Sequence, residues 1–256
     1  MEVFRMTEFN LRLKASVEAN KFRYGYPWIY SNEIISDRRT KSLLPGSFCT
    51  LVDYNKNPIC LVTVNPNSKI FARVMDYNLE TIINAYWLKD RISKALAKRK
   101  EIFRDPFYRL VNAEADELPG LIVDRFDKVI VMQPNAFWAD NMSEIIANSI
   151  KEVCSIDVVI KNASGRSRRL EGLDDKNSVF FGDLPEAAIS VPMNGAIYKA
   201  DVHEGQKTGL FYDQRQNHKF VASLANGKTV LDVFCHVGGF GLAAIAAGAS
   251  KVSFVD

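Results

Sequence analysis

Thr229 to Asp256 reads TVLDVFCHVGGFGLAAIAAGASKVSFVD, and the order of textures within it decides the fold. VLDVF is an apolar run with an acid near its end, and CHVGGFG is a glycine-rich turn. LAAIAA has the small helix-forming residues of a packed helix, and KVSFVD is a second strand-like run ending in Asp256. Strand, tight turn, helix and strand in succession form the opening unit of a nucleotide-binding α/β sheet. Gly238, Gly239 and Gly241 lack β-carbons, so the backbone there can turn sharply and press against a ligand. Asp256 lies 18 residues after Gly238, near the ~20 expected of an acid that receives ribose hydroxyls.

Two cofactor classes use such a turn. Gly239, Gly241 and Ala244 satisfy the dinucleotide pattern GxGxxA, which keeps an NAD-dependent enzyme in view. Against it, Cys235, His236 and Val237 separate the strand from the first glycine, whereas a dinucleotide turn starts at the strand's end. Asp232 also places a negative charge where a pyrophosphate would meet the helix N-terminus. The sulfonium and amino group of S-adenosylmethionine would welcome that charge. The residues therefore favour S-adenosylmethionine, with Asp232, Gly238, Gly239 and Asp256 as its contacts and His236 as a loop residue.

Upstream, HEGQKTGLFYDQRQNHKFVASLA passes from a polar loop into a helix, which Asp213 and Gln216 are expected to cap as a pair. ISVPMNGAIYKADV predicts a hairpin around Asn194-Gly195, two residues that tolerate positive φ. GLIVDRF, KVIVMQP, DVVIK and VFFG read as strands and residues 140–153 as a helix, which makes a mixed α/β middle region. Apolar side chains recur through residues 79–104 at helical spacing. Within Lys89 to Arg104 there are seven basic residues against two acidic ones. Such a face can track phosphates or simply be solvated. Between Leu43 and Met75, short apolar runs alternate with turn clusters, the texture of a small β-barrel or meander. Before it, Lys21, Arg23, Tyr26 and Trp28 mix cations with aromatics.

The composition sets bounds. The chain has 256 residues, more than one ordinary domain of about 100–150. Lysine plus arginine number 33 against 30 acids, so a polyanionic partner is permitted but not demanded. Cys49, Cys60, Cys154 and Cys235 show no metal-ligand spacing, so no metal site is expected, and scattered cysteines suit a reducing cytoplasm. No run approaches the ~20 apolar residues of a membrane span.

Five strings together resemble one family, the PUA-domain-containing large-subunit ribosomal RNA methyltransferases that make 5-methylcytosine. They are GYPWIYSNEI (25–34), NPNSKIFARVM (65–75), RLVNAEADELPGLIVDRF (109–126), GQKTGLFYDQRQN (205–217) and VLDVFCHVGGFG (230–241). The resemblance implies a multidomain α/β protein: a PUA-like RNA-binding barrel over 1–76, a mixed α/β middle domain over 77–195 and a Rossmann-like methyltransferase domain from 196. It implies that Lys207, Thr208, Asp213 and Gln214 flank the cofactor and that Lys21, Arg23, Tyr26 and Trp28 touch RNA. Ribosomal RNA is the implied partner, a cytoplasmic enzyme the implied setting, and a homodimer is left open. Cys235-His236-Val237 and Asn112-Ala113 depart from the family's usual Ser-Tyr-Thr and His-Gly. The family's catalytic cysteine, which attacks carbon 6 of cytosine, is expected beyond residue 256, so the chain alone is expected to be inactive and its last region unstable. A noncatalytic RNA-binding remnant is the alternative.

Overall fold

In the computed structural model, which describes residues 6–202 and 208–256, the N-terminal turn clusters separate the strands of one curled sheet. Its members are β1 (Met6–Arg12), β2 (Trp28–Tyr30), β3 (Phe48–Val52), β4 (Pro58–Val64) and β5 (Ile70–Asp76). They take the order β1-β3-β4-β5-β2, with β1 parallel to β3 and the other pairs antiparallel. A bridge from Leu13, just after β1, to Ile34, just after β2, joins the two edges. The result is the small barrel that the turn spacing predicts, filled by Leu11, Ile29, Leu51, Val62 and Phe71. Two short helices, α1 (Asn20–Arg23) and α2 (Arg38–Lys41), lie in its connections.

α3 (Ala85–Ile102) starts at residue 85 rather than 79 because Asn84 caps it, accepting from the Tyr86 and Trp87 amides at 3.0 and 3.1 Å. The middle sheet comprises β6 (Phe107–Asn112), β7 (Leu121–Phe126), β8 (Val129–Pro134), β9 (Val158–Lys161) and β10 (Ser178–Phe181). Its order is β10-β9-β8-β7-β6, parallel only between β8 and β9. Between β8 and β10 run α4 (Phe137–Asn141), α5 (Ser143–Cys154) and α6 (Arg166–Glu171). Val123, Ile130, Met132 and Val159 face a core shared with Leu88 and Ile92 of α3 and Ile146 and Ile150 of α5. Their neighbours Phe126, Val131 and Ile160 face the opposite core, with Val191, Tyr198, Leu210 and Tyr212. Successive strand residues point to opposite faces, and both faces are covered. That is why these strands read as nearly unbroken apolar runs.

The second face is covered by a hairpin, β11 (Ile189–Met193) and β12 (Ala196–Ala200). Its turn holds Asn194 at φ 52° and Gly195 at φ 80°, as the sequence predicts. The domain boundary drawn at residue 195 falls inside this turn, yet both strands pack on the middle sheet. Next come a 3₁₀ turn (Tyr212–Gln214) and α7 (Arg215–Ser223). The Asp213–Gln216 capping pair does not form: Asp213 is wound into the 3₁₀ turn, and no side chain caps α7. Last are β13 (Thr229–Val233), α8 (Gly239–Ala246) and β14 (Lys251–Val255), with β13 and β14 parallel and paired from Thr229–Lys251 to Val233–Val255.

Barrel and middle domain are joined through polar groups out of water. Glu171, 4% exposed, accepts from Asn65 Nδ2 at 2.8 Å, Ser68 Oγ at 3.1 Å and Arg73 at 2.7 Å. Arg73 also reaches Glu114 at 3.1 Å, and Glu114 accepts from Trp28 Nε1 at 2.8 Å.

Candidate cofactor site

The turn after β13 is built by its own residues before any ligand is considered. Asp232, 7% exposed, accepts the Gly241 N–H at 2.8 Å. That amide belongs to the first turn of α8, whose donors have no partner within the helix. The acid thereby ties the helix to the strand before it. Gly238, at φ 75°, is the helix N-cap, and Phe234 and His236 are left-handed as well, at φ 58° and 50°. Two left-handed non-glycine residues separated by one position concentrate backbone strain here. A β-carbon on Gly239 would lie 2.6 Å from the His218 ring, and one on Gly241 would lie 2.1 Å from Phe254 Cε1. Sequence reasoning assigned the glycines to ligand approach. Packing inside the protein requires two of them in its own right.

On the next strand, Asp256 Oδ1 accepts the His236 N–H at 3.0 Å, so the two strand-end acids bracket the turn from either side. Tyr198 closes the turn from the hairpin, its hydroxyl donating to the Gly239 carbonyl at 3.1 Å. Burial pushes the Tyr198 phenol up to about 12, so it stays a donor at neutral pH. His218 Nδ1 and His236 Nδ1 are both buried without a hydrogen-bond partner among the described residues. Burial lowers the His218 pKa from its usual 6.5, while Asp232 and Asp213 pull it back up.

The 208–214 segment meets this turn through Phe211, whose ring stands edge-on to His236 at 4.9 Å. Thr208 is fully buried, and its hydroxyl donates to Asp124 Oδ2 at 2.6 Å. Asp124, also fully buried, takes two bonds from Arg109 at 2.9 and 3.1 Å. Asp213 is exposed beside a cavity of about 190 Å³ that Arg99, Arg109 and Asn112 also line. Gln214 Oε1 accepts from Asn217 Nδ2 at 2.9 Å. Lys207 lies outside the described residues. Arg215 fastens α7 to the middle domain, donating to the Phe107 carbonyl at 2.7 Å with its guanidinium over Phe103 at 4.4 Å. Asp232, Gly238, Gly239 and Asp256 therefore meet at one turn, Phe211 brings the neighbouring segment against it, and Thr208 and Asp213 lie on the side of the middle domain. Asp124, Arg109, Tyr198 and His218 complete the surroundings unforeseen. For Asp124 a signal was present, since an acid within an apolar strand run must have a buried partner.

The residues expected to touch RNA are largely engaged. Lys21 is paired with Glu33, with its ammonium 4.9 Å from the Tyr26 ring centre, and Arg23 lies 3.6 Å from Asp53. Trp28 is held at the interdomain joint, while Tyr26 is 38% exposed. On α3, Arg91 and Arg99 turn inward to Asp76 and Asp116, Lys89 pairs with Glu152, and Lys94 pairs with Asp90. Lys98, Lys100 and Arg104 remain open to solvent. Cys49, Cys60 and Cys154 are buried, which pushes their thiols up to about 12, 12 and 11. They stay protonated and poorly nucleophilic at neutral pH. No His, Cys, Asp and Glu cluster that could hold a metal ion occurs among the described residues, nor a helix long and apolar enough to cross a membrane.

Residues 11–77 match the PUA-like domain family, and residues 168–256 match the S-adenosylmethionine-dependent methyltransferase family. A ribosomal RNA large subunit methyltransferase of Deinococcus radiodurans is 32% identical over 259 residues, covering 96% of this chain and 62% of the relative. Ribosomal RNA large subunit methyltransferase I of Shewanella frigidimarina is 32% identical over 249 residues, with the same coverage of 96% and 62%. The chain thus spans about 62% of the length of these relatives. A proposed S-adenosylmethionine-dependent methyltransferase from Streptococcus mutans superposes with a TM-score of 0.80 at 19% identity, covering 97% of this chain and 63% of that one. A second structure, of a proposed methyltransferase complexed with SAH, gives 0.79 at 18% identity, with coverage of 97% and 62%. The chain is accordingly a multidomain α/β protein in which a PUA-like domain precedes a domain of the S-adenosylmethionine-dependent methyltransferase type.

Proposed function

We propose that this chain serves a methyltransferase that modifies cytosine at carbon 5 in large-subunit ribosomal RNA, with S-adenosylmethionine as methyl donor. The observation that carries the reading is the pair of strand-end carboxylates, Asp232 and Asp256, bracketing a strained glycine turn. The donor set fits that cofactor: Asp232 brings negative charge toward a cationic sulfonium and amino group, and Asp256, exposed, offers its second oxygen to ribose hydroxyls. The cofactor supplies the methyl group. Gly238 and Gly239 would hold the backbone close to it, and Lys207, Thr208, Asp213 and Gln214 would flank it. Tyr198 and Asp232 hold the turn in shape, so that little rearrangement accompanies binding.

Carbon 5 of cytosine needs a thiolate adding at carbon 6, and the three buried thiols here do not suit that role. RNA would be gripped by the PUA-like barrel. Calorimetry should give S-adenosylmethionine binding to the 256-residue chain that weakens in Asp232→Ala. Nucleoside analysis of ribosomal RNA treated with the full-length protein should return 5-methylcytidine. NAD binding without S-adenosylmethionine binding would overturn the cofactor reading, and a different methylated nucleoside would overturn the product.

A further inference from the structure

One basic surface of the barrel remains unspent. Arg12 of β1, Arg39 of α2 and Lys56 in the turn between β3 and β4 line a single cavity of about 410 Å³, with Asn10 and Thr40 among its polar walls. Unlike Lys21, Arg23, Arg91 and Arg99, none of these three cations has an ion-pair partner among the described residues. The acid in the same lining, Asp37, is already committed. Its carboxylate accepts from the Thr40 amide at 2.8 Å and the Thr40 hydroxyl at 2.7 Å, and these bonds, with a smaller pull from the Arg39 charge, hold it below the usual carboxylate range. Asp53, at the base of the Lys56 turn, is likewise engaged by Asn57 at 2.8 and 2.9 Å. Beside the cavity, the Arg12 guanidinium lies 5.9 Å from the centre of the Tyr54 ring, and Tyr54 is 53% exposed.

Three cations from three separate elements, none in a salt bridge among the described residues, surround one polar hollow with an open aromatic ring next to them, and match the chemistry of a single-stranded nucleic acid. Cations track its phosphates, and an aromatic face accepts a base. We infer that the cavity lined by Arg12, Arg39 and Lys56 is the RNA-backbone subsite of the barrel, with Tyr54 as the platform for one base. This rests on the reading of the substrate as RNA and moves the expected contact from the Lys21–Trp28 patch to another part of the barrel. It uses no residue of the joint with the middle domain. The grip on RNA and the fixing of the barrel are therefore separate devices.

The test measures the anisotropy of a fluorescein-labelled single-stranded oligoribonucleotide bound to the whole chain across a range of potassium chloride. Three phosphate contacts at about −0.7 each contribute about −2 to the slope of log affinity against log salt. The Arg12→Gln, Arg39→Gln, Lys56→Gln triple variant should lose that contribution, and Arg12→Lys with Arg39→Lys should keep it. Tyr54→Leu should weaken binding about fivefold or more with the slope unchanged. A Lys98→Gln, Lys100→Gln, Arg104→Gln control should bind as the wild type. An unchanged slope in the first triple variant, or loss of slope in the control instead, overturns the subsite while leaving RNA as the substrate. A wild-type chain that binds no RNA at low salt overturns the RNA reading itself. Thermal melting of each variant confirms that an affinity change is not a loss of fold.

Discussion

Thr208 and Asp124, 84 positions apart, share a hydrogen bond of 2.6 Å in a place that water does not reach. It joins the loop beside the glycine turn to a strand of the middle sheet, and Arg109 completes it from β6. Removing the acid alone would leave a guanidinium largely out of water without its counter-charge. Asp124→Ala should therefore cost about 3–5 kcal/mol in urea unfolding. Thr208→Val, which leaves the acid and the arginine in place, should cost only about 1–2 kcal/mol. Equal costs for the two would contradict this account.

Glu171 is the corresponding anchor between barrel and middle domain. Glu171→Ala strips Arg73 of one of two carboxylates and leaves the Asn65 amide without its acceptor side chain. A loss of about 3 kcal/mol is expected, together with faster chymotryptic cleavage after Tyr77 or Leu79, between β5 and α3 where the two units part. A variant that melts lower yet is cleaved no faster would place the damage inside one unit instead.

Gly239→Ala should destabilise the chain by about 1–3 kcal/mol because the new methyl group runs into His218, which is 4% exposed. In a His218→Ala background the same substitution should cost less than about half as much. A double-mutant cycle reads this coupling directly. Additive costs would show that the glycine is required by something other than the histidine.

His218 also sets a pH dependence. Burial lowers its pKa from 6.5 in the folded protein, against the opposing pull of Asp232 and Asp213. Above pH 6.5 the ring is neutral in both states and makes no difference. As pH falls below that value the unfolded chain takes up the proton first, so stability declines until the folded state is protonated too. The melting temperature of the wild type should fall through this window more steeply than that of His218→Asn. Parallel curves would exclude His218 as the cause.

Much of this architecture could be read along the chain because it is encoded locally. The glycine turn, the Asn194-Gly195 hairpin and the apolar period of α3 each involve residues within a few positions of one another, where backbone sterics and periodicity decide. What escaped reading depends on partners far away in sequence. An acid inside GLIVDRF announces a buried partner but cannot name Thr208 and Arg109. Gly239 looks like a position open to ligand approach, but nothing in the sequence tells that the His218 ring also packs against it. Lys21 and Arg23 look free until Glu33 and Asp53 are seen beside them. Asp213 was misread for the opposite reason: its spacing to Gln216 suits a helix start, but the chain was already winding when it reached Asp213.

The double engagement of Arg73, with one carboxylate on α6 and the other in the 3₁₀ turn Ala113–Asp116 after β6, braces barrel and sheet at two points, like the parts of one arm rather than two beads on a string. An arm of fixed length works as a caliper. Under the proposed function, an RNA strand held by the barrel would be presented to the glycine turn at a span and bearing set by the protein, so the choice of position along it would become a matter of distance as well as of local sequence.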